Sequence, residues 1–168
     1  MKTSKFVALV FYPVLVLTKS QEIITMPQII EHIDAIARKK QRDVLYLEFS
    51  PEPNEDDMWG DDNGCYSFKD DTIRQKILED LTKMGVSWSS CGEFADENYM
   101  AGYCGQIYLD VPFDKELPLY QKLEQYLEHP DGTMRFDNVR FYVLPLEMAM
   151  KNAHHDEPDF WEKWAEDF

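Results

Sequence analysis

The chain has 168 residues, 44% of them apolar and 14% aromatic, which suits one globular domain and excludes a disordered chain. With 32 acidic against 17 basic residues the net charge is −15, so general binding to phosphate backbones or anionic lipid is excluded while a basic protein partner is favoured. Three cysteines, Cys65, Cys91 and Cys104, are too few and too scattered for a disulfide scaffold.

Lys2 and Lys5 precede the apolar run FVALVFYPVLVL (6–17), which is too short to span a bilayer comfortably. Thr18-Lys19-Ser20 then completes the outline of a secretory signal, although Lys19 is an unusual residue for a cleavage region. Residues 1–25 therefore carry two readings, an export signal or a hydrophobic extension upstream of the true start. The body, 26–168, reads as one domain. Its composition points to the cytoplasm, and a genuine signal would point to export instead.

MPQIIEHIDAIARKKQ (26–41) has Ile29, Ile33 and Ile36 on one face, Pro27 in its first turn and basic residues at its end, predicting a helix. RDVLYLEF (42–49) alternates Leu45, Leu47 and Phe49 with Val44, Tyr46 and Glu48, predicting a strand. PEPNEDDMWGDDNG (51–64), with six acids and no base, is a loop. DDTIRQKILEDLTKMG (70–85) is a second helix, capped by Asp70 or Asp71 and ended by Gly85. VSWSSCGEF (86–94) and MAGYCGQIYLDVPF (100–113) form a hairpin, LPLYQKLEQYLEHPDG (117–132) a third helix, and VRFYVLPL (139–146) the last strand.

From residue 42 onward the order β-α-β-β-α-β resembles the split-βαβ, ferredoxin-like arrangement, an α+β fold with four antiparallel strands and two helices on one face. An additional helix stands at each end. A hairpin symmetric about Glu97–Asn98 places Cys91 opposite Cys104, Trp88 opposite Ile107 and Val86 opposite Leu109. Both cysteines then share the open face with Tyr46, Tyr108 and Arg140. A small ligand could use that face, and so could a second copy of the chain as a homodimer. AGYCGQIY (101–108) is similar to the third-strand consensus of RNA-recognition motifs at Gly102, Tyr103 and Tyr108. It lacks the leading base, and the charge opposes RNA binding, so the expectation is no nucleic-acid partner.

The acidic loop does not fit an EF-hand. If Gly64 takes the sixth position the first is Trp59, and if Gly60 does the fifth is Trp59. The loop reads instead as a contact for a basic partner, with Met58 and Trp59 as anchors among Asp56, Asp57, Asp61 and Asp62. The sequence has no GxSxG, HExxH, CxxC or glycine-rich phosphate loop. No catalytic residue, metal or cofactor is therefore assigned, and the enzyme reading rests on residue types alone.

The chain closes on HHDEPDFWEKWAEDF (154–168). Adjacent histidines in extended chain point to opposite sides, so the pair is read as the lead-in to a helix capped by an acid just before Pro158, with Asp156, Glu157 and Asp159 complementing its dipole. Phe160, Trp164 and Phe168, with Trp161 adjoining, form one aromatic stripe that either packs on the domain or docks on a partner. The terminal Glu-Asp-Phe resembles the acidic, Phe-ended tails of bacterial single-stranded-DNA-binding proteins, which recruit partners. The leading expectation is a small acidic, non-catalytic interaction protein, an inhibitor, immunity or regulatory partner of a basic protein, using the loop together with Trp161, Trp164 and Phe168. The alternatives are a DNA mimic inhibiting a nucleic-acid enzyme, and an enzyme or small-ligand protein working on the open face through Tyr46, Tyr108, Cys91, Cys104 and Arg140.

Overall fold

The computed structural model describes residues 30–50, 68–99 and 103–166. These form helix α1 (Ile33–Lys40), strand β1 (Val44–Phe49), helix α2 (Thr72–Met84), strands β2 (Trp88–Ser90) and β3 (Ile107–Leu109), helix α3 (Pro118–Leu127) and strand β4 (Val139–Leu144). A one-turn helix α4 (Leu146–Ala149), a 3₁₀ segment (Met150–Asp156) and helix α5 (Phe160–Glu166) follow. The fold is α+β, with one four-stranded antiparallel sheet in the order β2-β3-β1-β4. No described helix is long and apolar enough to cross a membrane.

Period-two alternation sends Leu45, Leu47 and Phe49 to one face of β1, where they join Ile107, Leu109 and Val139. Ile77 and Leu81 of α2 and Tyr120, Leu123 and Leu127 of α3 close over them. Each such fully buried aliphatic side chain contributes about 2 kcal/mol of transfer free energy. Helix α2 starts where expected, with the Asp71 carboxylate accepting from the amides of Ile73 and Arg74. Gly85 ends it in the left-handed conformation at φ 79°, where glycine carries no Cβ penalty.

The opposite face of the sheet is not open. Ile33, Ile36 and Ala37 of α1, at helical spacing, pack on Val44, Cys91, Tyr108, Leu144 and Ala149. The N-terminal helix thus packs on this face, while the C-terminal helix meets His32 and the Glu97 carbonyl. Helix α1 is shorter than the pattern over 26–41 predicts: residues 30–32 run extended, with Gly92 donating to the Glu31 carbonyl (2.8 Å) and accepting from the Ile33 amide (3.1 Å). A Cβ on Gly92 would stand 3.1 Å from the His32 ring, so glycine permits this close pairing.

The hairpin register also differs from expectation. Trp88 faces Leu109, Ser89 faces Tyr108 and Ser90 faces Ile107, a shift of two residues. A shift of two preserves which side chain faces which side, so the face assignments hold while the partners change. Cys91 now pairs by its amide with Gln106 (3.2 Å), not with Cys104. Gly105, at φ 89°, stops β3 short of the cysteine, and a Cβ there would meet Phe68 at 2.6 Å.

Candidate functional site

Asp34 and Arg38, one turn apart on α1, are 0% and 6% exposed. The Arg38 guanidinium donates to Asp34 (2.8 Å), to the Ala149 carbonyl (3.0 Å) and in bidentate fashion to Asp156 (both 2.7 Å). Asp34 in turn accepts from the Ala95 amide (3.1 Å) and from Asn152 (3.1 Å), whose side chain also donates to the Ala95 carbonyl (2.8 Å). One guanidinium serves two carboxylates in this network, which ties α1, the β2–β3 connection and the 3₁₀ segment together. Arg38 holds the Asp156 carboxyl below its ordinary range. Asp156, expected among the acids at the start of the last helix, is thus engaged by α1.

Helix α5 begins at Phe160, two residues beyond Pro158, after Asp159 takes a left-handed φ of 62°. The histidine pair belongs to the preceding 3₁₀ segment and is not a lead-in to α5. His154 and His155 both place Nε2 on Glu97 Oε1, at 2.7 and 3.1 Å. These contacts hold the Glu97 carboxyl below its ordinary range. The His155 ring packs against Phe160 at 4.6 Å and Trp161 at 4.8 Å between centroids, and Trp161 reaches Trp164 at 5.6 Å and His32 at 5.8 Å. Trp164 Nε1 donates to the Glu97 carbonyl (3.1 Å). The aromatic helix thus docks on the domain over the N-terminus of α1 and the β2–β3 connection.

This docking leaves a cavity of about 170 Å³ lined by His32, Glu93, Phe94, Asp96, Tyr99, Trp161 and Trp164. Four of the seven linings are Phe, Tyr or Trp, two are carboxylates, and none is lysine or arginine. His32 is held by the Glu93 carbonyl (2.9 Å), and Glu93 by Gln106 (3.0 Å), so one wall is pre-organised. Asp96 caps its own turn through the Asn98 amide (2.8 Å), and Tyr99 is 68% exposed at the rim. Aromatic faces present negative charge density, and with carboxylates beside them they form an environment for a cation.

A larger groove, about 870 Å³, runs between α1 and the edge strand β2. Its charges are internally matched: Lys39 pairs with Glu31, and Lys40 with Asp110 at 2.8 Å. It presents no unmatched sign to a partner.

Of the residues that the sequence singles out, Trp161 and Trp164 line the cavity. Asp56, Asp57, Met58, Trp59, Asp61, Asp62 and Phe168 lie outside the described residues. Tyr46 and Tyr108 are cross-strand neighbours, as expected, but Tyr108 is buried under α1 and Tyr46 is half-buried against Tyr142 at 5.2 Å. Burial pushes the Tyr108 hydroxyl above its ordinary range, and it donates to Asp110 (2.6 Å). Cys91 is fully buried and free, and burial pushes its thiol up to about 12. Cys104 is disulfide-bonded. Arg140 is exposed and lies opposite Glu48 across β1 and β4. Tyr46, Tyr108 and Cys91 come together in the cluster that packs against α1.

The sequence reading missed Glu93, Phe94, Asp96 and Tyr99, which sit in the GEFADENY stretch between β2 and β3. Two aromatics among three acids in a turn was the available signal. Comparison with protein-family models, with curated proteins and with solved structures finds no match to this chain.

Proposed function

We propose that the protein is a small acidic, non-catalytic interaction protein, an inhibitor, immunity or regulatory partner of a basic protein, and that its aromatic and acidic cavity receives a cationic side chain of that partner. The observation that carries this reading is the cavity itself: Phe94, Tyr99, Trp161 and Trp164 with Glu93 and Asp96, and no lysine or arginine among its described linings. A lysine ammonium or arginine guanidinium over an aromatic face gains about 0.5–2 kcal/mol, most when desolvated, and the adjacent carboxylates add charge complementarity. The net charge of −15 steers a basic surface toward the molecule and keeps nucleic acid away. The histidines that are hydrogen-bonded through their rings contact carbonyl or carboxylate oxygens, which suits anchoring better than the activation of a nucleophile.

The strand order β2-β3-β1-β4, with α2 and α3 as the two crossovers, supports the ferredoxin-like reading of the fold. The disulfide at Cys104 supports the exported reading over the cytoplasmic one.

The test is capture of a basic protein from native lysate by the immobilised full chain. Capture should occur at low salt and fall away near 1 M salt, where the screening length is about 3 Å. The Tyr99→Ala and Trp164→Ala variants should lose it. If no basic protein is retained, or if the variants retain it as well as the parent does, the reading fails.

A further inference from the structure

We propose that Glu97, His154 and His155 hold one zinc-class divalent ion. Each offers one ligand atom, and the three atoms lie within 4.8 Å of one another. Two imidazoles and a carboxylate form a donor set that suits Zn²⁺, with a fourth position left to water. The objection that neighbouring histidines point apart holds for extended chain. In a 3₁₀ turn of three residues, successive side chains are separated by roughly 120°, and here both rings reach the same carboxylate oxygen.

The two carboxylate–imidazole spacings need little change, and the two imidazole nitrogens lie within 4.8 Å of each other. Ligand bonds of about 2.0–2.2 Å put neighbouring donors roughly 3.3 Å apart in a tetrahedron, against 2.7 and 3.1 Å in the direct contacts. Glu97 and His154 are about half exposed, at 45% and 47% of the side chain, so an ion can enter and keep a water. His155 is buried and clamped between Phe160 and Trp161, so one ligand is pre-set.

On ligation each imidazole gives its Nε2 lone pair and carries its proton on Nδ1. His155 Nδ1 is buried with no partner. Ligating histidines ordinarily donate that second N–H, and its lack of an acceptor here sets the expected affinity about 10–100-fold below that of a site with one.

The site also bears on the cavity. Glu97 stands between two cavity linings, Asp96 and Tyr99, and its carbonyl accepts from Trp164, a third. An ion there would pin α5 to the β2–β3 connection and fix the cavity's walls. That consequence rests on the cation-binding reading, whereas the metal site rests only on the three ligands.

The test uses the full chain without a histidine tag, titrated with Co²⁺ alone near neutral pH. The expected result is intense visible bands of four-coordinate cobalt that saturate at one equivalent. Zn²⁺ should displace them, and acidification should abolish them, because imidazole must be deprotonated to ligate. Glu97→Gln and His154→Gln, both at exposed positions, should each weaken binding at least tenfold while the circular dichroism is unchanged. Failure of the bands to appear would overturn the proposal. So would bands insensitive to His154→Gln, which would place the ion elsewhere. The readout needs no partner protein, so its failure is distinguishable from failure of the cation reading.

Discussion

Under α2 and α3 the sheet meets Ile77, Leu81, Leu123 and Leu127, an apolar layer. Under α1 it meets Ile33, Ile36 and Ala37, and beside them the buried Asp34–Arg38 pair with its links to Asn152 and Asp156. The first face needs only hydrophobic side chains of about the right size. The second depends on every donor and acceptor being matched, because a buried charge without its partner is costly. The cavity is built on the second face, from elements that the polar network positions. The difference is a division in which one face supplies stability and the other fixes the geometry of the cavity.

The sharpest way to break this comparison is Arg38→Met. It leaves Asp34 fully buried without its cation and removes both bonds to Asp156, so a loss of about 4 kcal/mol is expected in denaturant unfolding. Replacing Asp34 with leucine in the same chain should recover part of that loss, since the uncompensated charge is then gone while the buried Ala95 amide loses its acceptor. Leu123→Ala on the apolar face should cost about 3 kcal/mol, with no second substitution that rescues it so simply.

A pH titration separates the faces further. The Asp156 carboxyl has a lower pKa in the folded chain than in the unfolded one, with Arg38 as the chief cause. Its contribution is therefore complete above the unfolded value, near 4, and is lost as pH falls through the folded value. The Asp156 side chain is 54% exposed, so solvent screening holds the contribution to about 1 kcal/mol or less. Asp156→Asn should lower stability by that amount at neutral pH, with the gap closing in acid. The smallest effect concerns Cys91. At 0% exposure and with its thiol pushed up to about 12, it should be inert to thiol reagents in the native chain and react on unfolding.

The apolar face was legible in the sequence because period-two and period-3.6 patterns encode it directly: Leu45, Leu47 and Phe49 against Ile77, Leu81, Leu123 and Leu127. The α2 cap at Asp71 and stop at Gly85 were legible for the same local reasons. The second face was not, because Asp34 and Arg38 look like an ordinary solvated pair at i, i+4, and only the tertiary fold buries them. The hairpin register slipped by two because parity fixes faces but not partners, and Gly105 shortened β3. Extended-chain geometry separates His154 from His155, and a 3₁₀ turn does not obey it. Trp161 and Trp164 stood out as aromatics needing cover, but their neighbours Glu93, Phe94, Asp96 and Tyr99 come from a distant turn that no local pattern connects to the tail.

The central claim is that this cavity recognises positive charge. Titrating the full chain with an arginine-rich peptide, and with the same peptide carrying neutral, isosteric citrulline, tests it through tryptophan emission. The account predicts a saturable change with the arginine peptide that vanishes in Trp164→Ala, and none with the citrulline peptide. Equal responses to both peptides, or no response to either, would contradict it.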